Sequence, residues 1–144
     1  MGICISKTSV NNSILDAEYD TTKPFIVPIT SGKVIKVYDG DTITIASKLP
    51  YKESPVYRFQ VRLNGIDTPE IKGHSEDEKA LAIKARNALH EKIFGCIVEL
   101  KNIGTEKYGR ILADVYVDDI NINKWMLDSK FAVQYNGGKK KEWI

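Results

Sequence analysis

The sequence Val61-Arg62-Leu63-Asn64-Gly65-Ile66-Asp67-Thr68-Pro69-Glu70 decides the fold that we expect for this chain. Val61 and Leu63 alternate with polar neighbours, which is typical of a half-buried β-strand. Gly65 then allows a turn, and Pro69 ends regular pairing because proline has no backbone N–H to donate. The stretch therefore predicts a strand that stops at a loop, and charged side chains cluster at that junction.

Alternating apolar residues predict further strands on both sides of this stretch. Residues 34–45 give two strands joined at Asp39-Gly40, since Asp-Gly between two alternating runs is a strong hairpin signal. The third strand is Val56–Leu63, and residues 97–101 and 111–117 give two more. Five short strands with a helix after the third predict an α+β protein, a five-stranded OB-fold β-barrel with helices. A parallel α/β sheet would need a crossover helix between most strands.

The helix after the third strand has a clear start signal. Ser75 followed by Glu78 three residues later matches the capping box, in which serine occupies the N-cap position. Gly95 is placed to end the helix. The residues that we place on its buried face are Leu81, Ala85, Ala88 and Leu89.

Length and composition are those of a single globular domain with its own core. The 144 residues carry a net charge of +2, which is compatible with a polyanionic partner but does not require one. Residues 1–31 are mostly polar and read as an N-terminal lipid-anchor signal and flexible tether. Residues 32–144 form the expected OB-fold domain. Cys4 lies in the polar N-terminal stretch and Cys96 begins an apolar run far from it in the chain, so we do not expect a disulfide between them. Two unpaired cysteines favour a reducing compartment.

The first residues match the N-myristoylation pattern, with Gly2 after the initiator and Ser6 four residues on. One acyl chain binds a bilayer only marginally, so stable anchoring needs a second signal, and Cys4 is placed for palmitoylation. We therefore expect the cytoplasmic face of a membrane, the plasma membrane first, or the cytoplasm without acylation. We do not expect secretion, because residues 1–10 lack a basic start and an apolar core. The pattern is short, and a chance match stays open.

Oxygen ligands dominate the polar residues at the strand ends. Asp41 and Asp67 each sit where a strand meets a turn, and Thr68 offers a backbone carbonyl beside a proline. Such a set suits a hard cation such as Ca²⁺ or Mg²⁺. Asp39 fits a supporting role or a plain turn residue, and Asp39-Gly40 on its own is more often just a hairpin turn. Each motif alone is explained by turn formation.

Three ordered motifs together resemble the staphylococcal nuclease family. They are Asp39-Gly40-Asp41-Thr42, Arg62 followed five residues later by Asp67-Thr68-Pro69-Glu70, and Lys107-Tyr108-Gly109-Arg110. The similarity spans about residues 32–135. It implies an OB-fold barrel and Ca²⁺-dependent cleavage of DNA and RNA, with single strands preferred. By the same resemblance the products carry 3′-phosphate and 5′-hydroxyl ends, and we expect a monomer.

The resemblance assigns a cation site and a base. The side chains of Asp41 and Asp67 and the carbonyl of Thr68 would ligate Ca²⁺. Glu70 would orient the attacking water and accept its proton. Ca²⁺ acidifies water far less than Zn²⁺ does, so a carboxylate base is a chemical requirement of this scheme.

The resemblance also assigns the phosphate and nucleotide contacts. Arg62 and Arg110 would hold the scissile phosphate, since the guanidinium fork matches phosphate geometry and lysine does not reproduce it. Lys107 and Tyr108 would line the nucleotide pocket, with Tyr135 as an aromatic neighbour. The rival class is a nucleic-acid-binding OB module without chemistry. The sequence leaves open whether the basic residues 139–141 contact substrate or solvent.

Overall fold

The structure, a computed structural model, describes residues 12–140 and Trp143. The helices are α1 (Asn12–Leu15), α2 (Glu76–Ile93) and α3 (Ile122–Asp128), and a 3-10 turn covers Tyr19–Thr21. The strands are β1 (Ser31–Asp39), β2 (Thr42–Lys48), β3 (Val56–Leu63), β4 (Ile66–Asp67), β5 (Ile97–Thr105), β6 (Ile111–Val117), β7 (Ile120–Asn121) and β8 (Val133–Gln134). The lipidation candidates Gly2 and Cys4 lie outside the described residues.

Five strands close into a barrel. The antiparallel pairs are β3–β2, β2–β1, β1–β5 and β5–β6, and a parallel pairing of β3 with β6 closes the sheet on itself. In that seam Val61 lies opposite Ile111 and Arg62 opposite Leu112. The barrel confirms the predicted OB-fold class, with α2 after the third barrel strand and α3 after the fifth.

The barrel interior is filled by the alternate side chains that the period-two pattern predicted. Ile43 and Ile45 of β2 and Val61 and Leu63 of β3 are fully buried. Burial of each such side chain stabilises the fold by about 1.5–3 kcal/mol relative to exposure. Ile29 also belongs to this core, so packing begins before β1, and the division at residues 31 and 32 stays a prediction.

Helix α2 begins as predicted, and its buried face was predicted in part: Ala85 and Leu89 are buried and Ala88 is half-buried. Ser75 accepts a hydrogen bond from the Glu78 backbone N–H, as expected of an N-cap. Leu81, however, is exposed, and Ala82 takes the buried place. A Cβ at Gly40 would lie 3.0 Å from the Ala85 Cβ. The helix therefore lies so near the β1–β2 turn that position 85 takes a small side chain.

Helix α3 is fixed to the barrel by Asn123. Its side-chain oxygen accepts from Val115 N, and its amide donates to the carbonyls of Asn64 and Ala113. These bonds tie α3 to the loop that leads from β3 to β4. Within the described residues, none of the helices is long and apolar enough to cross a lipid bilayer.

Candidate active site

Three chain segments meet at one end of the barrel. The β1–β2 turn carries Asp41, the end of β3 carries Arg62, and β4 carries Asp67. The register brings them together, because Thr42 lies opposite Arg62 and Leu63 N donates to Asp41 O over 2.8 Å. Residues that are 26 positions apart in the sequence therefore share one site.

Arg62 joins the two aspartates. Its Nη2 lies 3.3 Å from Asp41 Oδ2 and 3.6 Å from Asp67 Oδ1, and its Nη1 donates to the Leu63 carbonyl over 2.7 Å. All three charged side chains are nearly inaccessible. Charges this buried interact strongly, since little water screens them. The arrangement places two carboxylates and one guanidinium within a single small volume.

The Asp41 carboxylate is held on both oxygens. Oδ1 accepts from the Thr42 hydroxyl over 3.0 Å, and Oδ2 accepts from the Thr68 backbone N–H over 3.3 Å. Asp39 lies behind it and accepts from Asp41 N. Burial, together with the neighbouring Asp41 charge, raises the pKa of Asp39 to about 8. Asp39 is thus mostly protonated at neutral pH and supports the turn.

Asp67 has a buried oxygen that makes no hydrogen bond within the described part of the chain, although two positive side chains lie near it. Asp67 Oδ1 and Thr68 Oγ1 are buried and make no hydrogen bond among the described residues. Burial raises the pKa of Asp67, while Lys140 and Arg62 act in the opposite direction. A buried carboxylate oxygen without a hydrogen bond is costly unless something positive meets it.

A hard cation suits this donor set. Carboxylate and carbonyl oxygens are the ligands that Ca²⁺ and Mg²⁺ take, and both ions commonly keep several waters. Among the described residues no group of three or more His, Cys, Asp or Glu side chains could hold a metal ion. Asp41 and Asp67, with the Thr68 carbonyl, would therefore supply only part of a coordination shell, and water would supply the rest.

Arg110 is aimed at the same place from the start of β6. Its Nη1 donates to Thr42 Oγ1 and its Nη2 pairs with Glu106 Oε2, each over 3.2 Å. The hydrogen bond to Glu106 raises the pKa of Arg110, so its charge is secure. Sequence reasoning missed Glu106 and Thr42. One signal in the sequence could have indicated Glu106. It is an acidic residue four positions before Arg110, with the turn residue Gly109 between them.

The converging side chains surround a cleft of about 300 Å³. Among the residues that line it are Asp39, Asp41, Thr42, Arg62, Glu70, Tyr108, Arg110 and Lys140. The candidate base Glu70 and both arginines therefore face one space, which is large enough for a phosphodiester group. Asp67 and Glu70 also line an adjacent cavity of about 440 Å³.

The predicted nucleotide contacts divide between two surfaces. Lys107 and Tyr135 line a separate cavity of about 610 Å³, together with Arg62 and Glu106. Tyr108 instead lines the cleft and a groove on its other side. The Arg62 guanidinium lies 5.9 Å from the Tyr135 ring centre and so connects the large cavity to the cleft. The structure thus places Lys107 and Tyr135 along one cavity, and the Lys107 ammonium also lies 5.1 Å from the centre of the Tyr108 ring, which lines the neighbouring cleft.

Lys140 was the least expected member of the site. Its Nζ lies 3.0 Å from Glu70 Oε1 and 3.7 Å from Asp67 Oδ1. The sequence left open whether the basic residues 139–141 contact substrate or solvent. In the structure the Lys140 side chain contacts two candidate site residues, Asp67 and Glu70. No local pattern could reveal a contact across 70 positions.

Comparison with known proteins identifies the family. The model of the family described as staphylococcal nuclease homologue matches residues 60–143, more than half of the chain. The chain therefore belongs to this family, as the three motifs predicted.

Curated relatives agree with that assignment. An uncharacterized endonuclease of Haemophilus influenzae is 32% identical over 72% of this chain and 51% of its own length. A probable endonuclease of Schizosaccharomyces pombe is 26% identical over 92% of this chain and 64% of its own. An uncharacterized endonuclease of Escherichia coli is 29% identical over 78% and 65%. The chain thus spans about half to two thirds of the length of these relatives.

Proposed function

We propose that this chain is a Ca²⁺-dependent nuclease that hydrolyses DNA and RNA by in-line attack of water. Family membership and the endonuclease names of its relatives support a nuclease. The observation that carries the proposal is the meeting of Arg62 and Arg110 with Asp41 and Glu70 around one cleft. Guanidinium groups that can hold a phosphate and carboxylates that can hold a cation or accept a proton are the groups that phosphodiester hydrolysis requires.

The side chains have complementary tasks in this proposal. The two guanidinium groups hold the phosphoryl oxygens and stabilise the charge that develops on them, because the donors are in place before the reaction. Asp41 and Asp67 would hold the cation, with Thr68. When bound, Ca²⁺ would neutralise a non-bridging oxygen and position the attacking water. Glu70, which lines the cleft, would orient that water and accept its proton.

Product and substrate preferences follow from the same scheme. No sugar hydroxyl is needed as a nucleophile, so both DNA and RNA should be cut. We propose 3′-phosphate and 5′-hydroxyl ends. The cleft offers phosphate contacts and exposed aromatic rings, Tyr108 above all, rather than a reader of base edges, so single strands are the expected preferred substrate.

A digest of labelled single-stranded DNA with Ca²⁺, Mg²⁺ or chelator tests the proposal. We expect cleavage with Ca²⁺ that stops in chelator. A polynucleotide kinase should then add phosphate to the new 5′ end of each product, because that end carries a free hydroxyl group. Binding without cleavage in every divalent cation would instead support the binding module. The anchored localisation at the cytoplasmic face of a membrane, through Gly2 and Cys4, is a separate proposal.

A further inference from the structure

The segment that carries Lys140 is fastened to the site. Strand β8 pairs with β4, so that Val133 lies opposite Asp67. Tyr135 N then donates to the Gly65 carbonyl, and the Tyr135 hydroxyl donates to Gly138 O, each over 2.9 Å. These bonds return the chain toward Asp67 immediately before Lys140.

The Lys140 ammonium meets the carboxylates from the open side of the site. It donates to Glu70 Oε1 over 3.0 Å and lies 3.7 Å from Asp67 Oδ1. Arg62 Nη2 lies 3.6 Å from the same Asp67 oxygen. The Lys140 side chain is 49% exposed, whereas the Arg62 side chain is 9% exposed. Of these two positive side chains, Lys140 is therefore the one that can move away from Asp67 into solvent, because its ammonium is already half exposed.

Burial disfavours the charged form of Lys140, but the hydrogen bond to Glu70 and the charge of Asp67 outweigh it. Together they raise the pKa of Lys140, so the ammonium stays charged at neutral pH. The contact is therefore a charge pair, and a second cation that approaches the same oxygens meets repulsion from the ammonium.

We propose that Lys140, held by Glu70, acts as an internal cation that competes with the divalent metal ion for Asp67. The inference depends on the cation site of the proposed function. Arg62 Nη2 and Lys140 Nζ already lie 3.6 Å and 3.7 Å from Asp67 Oδ1, so a divalent cation that binds this oxygen would meet the Lys140 ammonium at close range. Binding of the metal ion and the Lys140 contacts therefore oppose each other, and by linkage each weakens the other to the same extent.

A merely structural ion pair makes a different prediction. Half-exposed pairs add little to stability, so the loss of Lys140 should leave the protein folded. A structural role would lower thermal stability without affecting metal affinity. If Lys140 competes with the metal ion, removal of its ammonium group should instead raise the affinity for the metal ion.

Isothermal titration of Ca²⁺ without nucleic acid distinguishes these roles. Lys140→Met is compared with Lys139→Met, which makes the same change of charge and side-chain type at an exposed neighbour. We expect Ca²⁺ to bind Lys140→Met about two- to fivefold tighter than wild type, the factor expected for a half-exposed ion pair. Lys139→Met should stay within the error of wild type. Thermal unfolding in chelator checks that both variants are folded.

Each outcome decides the matter. Tighter binding confined to Lys140→Met supports competition, as does binding by Lys140→Met where wild type binds none. Equal or weaker binding in Lys140→Met than in Lys139→Met overturns it, even if the wild type cleaves DNA. If no variant binds Ca²⁺, the competition is wrong, and the digest with Ca²⁺, Mg²⁺ or chelator decides the proposed function separately.

Discussion

Arg62 Nη2 lies 3.3 Å from Asp41 Oδ2 at the end of β3. This contact connects the group that would hold phosphate to a group that would hold the cation. The register of β2 and β3 fixes it, since Thr42 is the cross-strand partner of Arg62. The barrel therefore sets the distance between the two halves of the site before any ligand arrives.

Glu106 should matter to catalysis through Arg110. Its carboxylate accepts from the Arg110 guanidinium and from two backbone N–H groups of the glycine turn. In Glu106→Gln an amide group would face the guanidinium, and we expect kcat for DNA cleavage to fall about tenfold, as for the loss of one charge-assisted hydrogen bond. The control is Glu99→Gln, the same change on an exposed strand residue. Equal rates in the two variants would contradict this role.

Asp39 should make stability fall as pH rises. Its pKa is 3.8 in the unfolded chain and about 8 in the folded one, so between these values the folded state holds one more proton. The unfolding free energy then decreases from about pH 4 to about pH 8. Urea unfolding in chelator should show this decrease in wild type and a smaller one in Asp39→Asn. At pH 9 Asp39→Asn should be more stable by about 1 kcal/mol or more. Parallel pH curves for the two proteins would count against it.

Asn123 should be a stability residue and not a catalytic one. Asn123→Ala leaves Val115 N and the Asn64 and Ala113 carbonyls without their side-chain partner. We expect a loss of about 1–3 kcal/mol in urea unfolding. Lys124→Ala, an exposed change on the same helix, should cost much less. A loss below that of Lys124→Ala would show that these bonds are dispensable.

The lipid-anchor proposal has a direct chemical test. Expression with labelled myristate in a eukaryotic cell should label the wild-type chain and not Gly2→Ala, because only an N-terminal glycine accepts the acyl group. Cys4→Ser should keep the myristate label but lose membrane retention, since a single chain anchors weakly. An unlabelled wild type would end the proposal.

Local patterns predicted the barrel strands, the hairpin at Asp39-Gly40 and the Ser75 cap, because each depends on neighbours within a few residues. Strand Ile111–Val117 was predicted with its observed bounds. The buried face of α2 was predicted at Ala85 and Leu89 but not at Leu81, which is exposed while Ala82 is buried. The close approach to Gly40 explains why the inward residue at position 85 is an alanine.

The site was predicted in part for the same reason. The family motifs indicated Asp41, Asp67 and Arg62, and the structure brings them together. Their roles remain predictions. Lys140 could not be deduced, because its position depends on the pairing of β8 with β4 far along the chain.

The central claim is that one phosphodiester is held by Arg62 and Arg110 beside a cation on Asp41 and Asp67. Its most direct test is the initial rate of single-stranded DNA hydrolysis in Ca²⁺ by wild type and Arg62→Ala, with circular dichroism to confirm folding. The account predicts cleavage by wild type that chelator abolishes, and a rate about 10²–10³-fold lower in folded Arg62→Ala. Cleavage by Arg62→Ala at the wild-type rate would contradict it.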